Sequence, residues 1–224
     1  RRDKDRGALE PLAGGVGVVR YGGGDALAGE VDDETAAVFL EPVQGEGGIH
    51  PASAAYLHTA REATDDAGAA LVFDEVQTGV GRTGTLWACD RVGVEPDILT
   101  SAKGIANGLP LGATLVKDWV ADDSGDHGST YSGGPVVCAA ANATLETIVE
   151  ADVPGNAARV GEYLRGELET AVDDHDLPVR EVRGVGLMIG VEVKRGANRI
   201  LKNLALSEQV LALPAGRTVV RLLP

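Results

Sequence analysis

The chain has 224 residues, 44% of them hydrophobic, which is enough apolar material for one large core or two smaller ones. A net charge of −14 excludes a nucleic-acid-binding role, because neutralising a polyanion takes clustered Lys and Arg; the acidic pairs Asp32-Asp33, Asp65-Asp66, Asp122-Asp123 and Asp173-Asp174 are instead spread along the chain. That spread suits a high-salt cytoplasm and equally an ordinarily acidic soluble enzyme.

No apolar run reaches the roughly 20 residues of a membrane helix, and Arg1-Arg-Asp-Lys-Asp-Arg6 lacks the apolar stretch of a signal peptide, so a cytoplasmic protein without a membrane partner is expected. Cys89 and Cys138 lie far apart and share no metal-ligand spacing with the four histidines; they read as core thiols, and no metal is expected.

In chain order, Thr35 to Glu41 reads as a strand. Pro51-Ala-Ser opens a helix through Tyr56, Leu57, Ala60 and Ala63 that Gly68 ends, and the apolar run Ala69 to Phe73 follows at once as a strand, giving a β-α-β unit. Asp97-Ile-Leu-Thr100 and Leu111 to Val116 are further strands, and a long helix runs from about Pro135 to Ala151. A break is expected near Val153-Pro-Gly, then a helix over Asn156 to His175 with apolar spacing at Val160, Leu164, Leu168 and Val172. Strands near Val179 to Arg183 and Leu187 to Val193 complete a smaller α+β unit. No internal repeat is visible. Alternating strands and helices make this an α/β chain, with residues 1–152 expected in a larger domain and 153–224 in a smaller one.

Two positions in this layout carry chemistry. The run Ala69 to Phe73 reads as a strand buried on both faces, so Asp74 stands at its carboxyl end, where open α/β sheets build their sites. An acid there needs a cationic partner. Lys103, in Ser101-Ala-Lys-Gly104, sits among residues small enough to leave room for a flat group. Pyridoxal 5'-phosphate supplies the cation, as a protonated ring nitrogen, and also requires a lysine.

Five ordered motifs surround this pair: Glu41-Pro-Val-Gln-Gly-Glu-Gly-Gly48, Phe73-Asp-Glu-Val-Gln-Thr-Gly-Val-Gly-Arg-Thr-Gly84, Pro96-Asp-Ile-Leu-Thr-Ser-Ala-Lys-Gly104, His127-Gly-Ser-Thr-Tyr131 and Val182-Arg-Gly-Val-Gly-Leu-Met188. From about Leu9 to Pro224 the chain resembles the class III aminotransferases, in the acetylornithine and ornithine aminotransferase branch. The resemblance implies the type I fold of pyridoxal-phosphate-dependent transferases, with a large mixed-sheet cofactor domain and a small C-terminal domain. It implies transfer of the ω-amino group of N-acetylornithine, or of a lysine or ornithine precursor linked to an acidic carrier protein, to 2-oxoglutarate. Ornithine and 4-aminobutyrate are the alternative amines.

The same resemblance assigns roles. Lys103 would carry the cofactor and, once freed, move the substrate proton, while Asp74 would keep the ring nitrogen charged. Val76 would pack on the ring, Gln77 would lie near its phenolic oxygen, and Glu75 would support them among the cofactor contacts. Thr130 would reach the cofactor phosphate of the neighbouring subunit of a homodimer with shared sites, and Ser129 the substrate. Glu46 would mask Arg221 while an amine enters, then release it to bind the α-carboxylate of glutamate.

The match has two departures. Ser132-Gly-Gly-Pro135 stands where the family usually has Gly-Gly-Asn-Pro. The family's phosphate loop, ring-stacking aromatic and substrate-carboxylate arginine do not precede Leu9, and the chain stops inside what should be the small domain's sheet, so it is expected to be incomplete at both ends. Two readings of other classes stay open. Leu71-Val-Phe-Asp-Glu75 also looks like the magnesium-holding strand of a P-loop ATPase, although no G-x-x-x-x-G-K-[ST] accompanies it. A non-catalytic subunit or scaffold is the other.

Overall fold

The computed structural model describes residues 14–121, 129–130 and 132–224, together with Gly7, Glu10 and Pro11. A four-stranded sheet forms from β1 (Ala37–Leu40), β4 (Ala70–Asp74), β5 (Ile98–Ser101) and β6 (Ala113–Val116), in that spatial order. The first three strands are parallel and β6 is antiparallel to β5. Between β1 and β4 in the chain come a short two-stranded ribbon, β2 (Val43–Gln44) with β3 (His50–Pro51), and the helix α2 (Ala54–Ala67); a shorter helix, α1 (Gly24–Glu30), precedes them.

β4 lies between β1 and β5, and Leu71, Val72 and Phe73 are at most 2% exposed, so the strand is covered on both faces as its unbroken apolar run requires. Burying a side chain of the size of Phe73 contributes about 1.5–3 kcal/mol. α2 supplies one cover, placing Tyr56, Leu57 and Ala60 in a core with Leu71, Phe73 and Leu99. Its ends are set locally. The Ser53 hydroxyl accepts from the Tyr56 amide at 3.1 Å, and Gly68 takes the left-handed conformation (φ 68°) that closes the last turn.

A second sheet, wholly antiparallel, has the order β7 (Val179–Val185), β8 (Met188–Val193), β10 (Val219–Leu222), β9 (Leu213–Ala215). Two long helices precede it, α3 (Pro135–Glu150) and α4 (Val153–Asp174), and α5 (Asn198–Ser207) follows β8. The expected break at Val153-Pro-Gly lies slightly earlier. Asp152 adopts φ 48° and its carboxylate caps the Gly155 amide at 3.2 Å, while Val153-Pro-Gly forms the first turn of α4, where a proline lacks no needed N–H. The strand expected from Leu111 begins only at Ala113.

Both cysteines are free, and burial pushes the Cys89 thiol up to about 12, leaving it a protonated packing group. Among the described residues no helix is long and apolar enough to cross a membrane.

Candidate active site

Three parallel strands end side by side, and each end carries a charged side chain. Glu41 follows β1, Asp74 closes β4, and Lys103 follows β5 by two residues in a left-handed conformation (φ 51°) that opens a single 3₁₀ turn, Lys103–Ala106. Asp74 pairs in register with Thr100, so the carboxylate and the lysine belong to adjacent strands at the same edge of the sheet. This is the crevice outside the carboxyl ends of parallel strands where α/β folds place ligands.

The turn after Asp74 is built from its own side chains. Asp74 is exposed and accepts from the Val76 amide at 3.0 Å. Glu75 points the other way. It is fully buried, and its carboxylate accepts from the Thr78 hydroxyl and from the backbone amides of Ala88 (3.0 Å) and Cys89 (2.9 Å). Those bonds tie the turn to the 3₁₀ segment Ala88–Arg91 and thereby fix Val76 and Gln77 one step on.

A cavity of about 390 Å³ lies above this edge, and Glu46, Val76, Gln77, Val80, Lys103 and Arg221 all line it. Arg221 reaches it from β10 of the second sheet. Its Nη1 donates to Glu46 Oε1 at 2.6 Å and to Gln77 Oε1 at 3.1 Å, while Nε is buried without a partner among the described residues. Arg221 is 7% exposed, whereas the Glu46 side chain is 48% exposed, so the carboxylate is the more solvent-facing half of the pair. Gly45 lies directly against the Gln77 amide, so that a Cβ there would displace the Gln77 side chain from its present position.

Five of the expected residues, Glu46, Val76, Gln77, Lys103 and Arg221, thus meet in one cavity, with Asp74 at the neighbouring strand end and Glu75 beneath it. Ser129 and Thr130 are exposed and do not line the cavity within this chain; His127, Gly128 and Tyr131 of the same motif lie outside the described residues. Glu41 was not singled out from sequence. Burial, and then the nearby Asp74 carboxylate, hold it above the ordinary carboxylate value against the Gly45 amide (3.1 Å) and the Lys103 charge. The signal for it was present, since it is the first residue after an apolar strand and opens the Glu41-Pro-Val-Gln-Gly-Glu46 motif.

Residues 25–224 match the family Aminotransferase class-III. The chain belongs to the class III aminotransferases. It is 44% identical over 220 residues to a [LysW]-aminoadipate semialdehyde/glutamate semialdehyde transaminase of Sulfurisphaera tokodaii, covering 97% of this chain and 56% of that protein. It is 43% identical to a mitochondrial acetylornithine aminotransferase of Alnus glutinosa, covering 100% of this chain and 50% of that one. The chain therefore spans about half the length of the curated relatives it matches. Among solved structures, an ornithine aminotransferase of Toxoplasma gondii, described with partial occupancy of PLP at its active site, superposes with a TM-score of 0.91 at 33% identity, covering 96% of this chain and 52% of that one. The fold is that of the type I pyridoxal-phosphate enzymes, and the family's cofactor is pyridoxal 5'-phosphate.

The residues present fit that group. A primary amine, a branched apolar side chain and a side-chain amide line one opening, with a carboxylate at the next strand end; these suit an aldehyde, a ring face, a phenolic oxygen to which the amide N–H2 can donate, and a basic ring nitrogen. Gly104 leaves space at the lysine, since a Cβ there would come no nearer than 3.9 Å to Val80, and the buried Ser101 hydroxyl beside it has no partner among the described residues.

Proposed function

We propose that the protein of which these residues form part is a pyridoxal-phosphate-dependent transaminase that moves an ω-amino group to 2-oxoglutarate, yielding a semialdehyde and glutamate. One observation carries this reading: in a chain of this family, Lys103, Val76, Gln77, Glu46 and Arg221 line a single cavity beside Asp74. Pyridoxal phosphate, when bound, supplies an aldehyde that accepts the amine and a ring that takes up the electron pair left when a carbon loses its proton.

The side chains have distinct tasks. Lys103 would hold the cofactor through Nζ, and the same nitrogen, when free, would move the substrate proton. Asp74 would keep the ring nitrogen protonated from the strand end. Val76 would cover one ring face and Gln77 would serve the phenolic oxygen, on a turn that the buried carboxylate of Glu75 ties to Ala88 and Cys89. Glu46 masks Arg221 during the amine half-reaction and releases it to bind the α-carboxylate of glutamate.

The preferred amine is N-acetylornithine or an ornithine or lysine precursor on an acidic amino-group carrier protein, in arginine or lysine biosynthesis. This follows relatives named for those substrates. Ornithine and 4-aminobutyrate are the alternatives. The enzyme is read as a cytoplasmic homodimer in which exposed Ser129 and Thr130 serve the partner's site. The division into a cofactor domain, 1–152, and a small domain, 153–224, rests on the two separate sheets and on the helix break at Asp152.

Assaying the full-length protein with each amine and 2-oxoglutarate tests the reading. Glutamate should form with at least one of them, and no glutamate from any would sink it.

A further inference from the structure

The loop that carries Glu46 is held from a second direction by a residue with no part in the scheme above. Arg183 of β7 is 9% exposed and uses all three of its nitrogens. Nε donates to the carbonyls of Gly48 (3.0 Å) and Ile49 (2.8 Å), Nη2 donates to Gly48 (2.6 Å), and Nη1 donates to the carboxylates of Glu181 and Glu192, each at 2.7 Å. In register, Arg183 pairs with Gly190 and Gly190 pairs with Arg221. Residues paired across strands share a face, so the two arginines rise from the same side of the sheet, two strand spacings or about 10 Å apart.

Ile49 fills the gap between them. A Cβ on Gly190 would stand 2.9 Å from the Ile49 Cβ, so only glycine fits in the middle of that row. Ile49 has φ 55°, a left-handed conformation that a β-branched residue adopts only when its surroundings impose it. What imposes it is visible: Arg183 grips its carbonyl from one side, and the Val43 and Met188 cluster takes its side chain.

We propose that Arg183 is a positioning residue that confines the Glu46 switch to a side-chain movement. The proposal rests on the reading of Glu46 and Arg221 as a mask. Glu46 can leave Arg221 either by rotating its side chain or by a shift of the whole loop. By pinning the carbonyls of Gly48 and Ile49, Arg183 removes the second route, and the carboxylate returns to the same place after glutamate leaves. A lysine offers one donor position where the arginine fork reaches two carbonyls and two carboxylates.

The test uses the full-length protein and the substitutions Arg183→Met, Arg183→Lys and Gly190→Ala, so that failure of one to fold leaves the others. Hydrogen exchange of the segment 45–50 is read by mass spectrometry, and the amine and glutamate half-reactions are each followed in single turnovers. Exchange of that segment should quicken, and the efficiency of the amine half-reaction should fall about tenfold or more relative to the glutamate half-reaction. Arg183→Lys should lie between the parent and Arg183→Met. Unchanged exchange would overturn the proposal, as would an equal fall in both half-reactions, which is what a purely packing role gives. The exchange readout needs no turnover, so a protein inactive toward every amine would sink the functional reading while the anchor is still judged.

Discussion

Arg221 and Glu46, 175 residues apart in the chain, meet at 2.6 Å, and the same Arg221 nitrogen also donates to Gln77 at 3.1 Å. One guanidinium from the second sheet therefore ties together the glycine-rich loop after β2 and the turn after β4. Arg221 is the buried member of the pair, and Glu46 is the half-exposed one.

Replacing Glu46 by Gln keeps the shape of the side chain and removes the charge that pairs with Arg221, which the proposed function takes as its mask. The ratio of ω-amine to glutamate efficiency should fall by about tenfold or more, the size of one charge-assisted hydrogen bond. Half-reaction kinetics on the full-length enzyme measure that ratio, and an unchanged value would mean that Glu46 masks nothing.

Asp97 supports the sheet away from the site and has a pH signature of its own. It is 4% exposed and accepts from the Leu71 amide (2.8 Å), Arg61 (2.7 Å) and the Trp119 indole (3.1 Å). Burial pushes its carboxyl up, but those three donors together outweigh it and hold the group below the ordinary carboxylate value. A depressed folded value contributes stability that is fully present above the unfolded pKa of about 3.9 and lost as pH falls through the lower folded value. Asp97→Asn should cost about 3 kcal/mol in urea unfolding at pH 7. The difference from the parent should close in the acid range; a difference that persists there would show that the charge is not what matters.

Two glycines of α4 should respond in opposite directions. A Cβ on Gly161 would fall on the carbonyl oxygen of Gly186, whose own Cβ would lie 2.6 Å from the Thr83 carbonyl carbon, so helix, turn and loop touch backbone to backbone. Gly161→Ala should destabilise by about 1–3 kcal/mol through overpacking. Gly166 has nothing within 4 Å, and Gly166→Ala should stabilise by about 0.5–1 kcal/mol. Thermal unfolding of both variants checks this, and equal effects would contradict the contact geometry.

Local signals made much of this legible. The unbroken run before Asp74 located a strand covered on both faces, and Ser53 and Gly68 marked the ends of α2 within a residue or two. Val153-Pro-Gly misled slightly, since proline and glycine read as a break although the first turn of a helix tolerates both. The helix α5 was missed despite apolar residues at Ile200, Leu201 and Leu204, which do show helical spacing. Arg183 lies inside the motif Val182-Arg-Gly-Val-Gly-Leu-Met188, but nothing local points to its role. Its carbonyl partners are 134 and 135 residues away, and only the register of the second sheet brings them within reach.

The central claim is that Lys103 carries the cofactor, and the most direct measurement is borohydride reduction of the full-length protein with pyridoxal phosphate, followed by peptide mass mapping. The pyridoxyl mass should appear on the peptide containing Lys103, and Lys103→Ala should lose it together with at least about a thousandfold of activity, the range of a positioned proton-transfer group. An unmodified Lys103 peptide, or the label on Lys117 instead, would contradict the account.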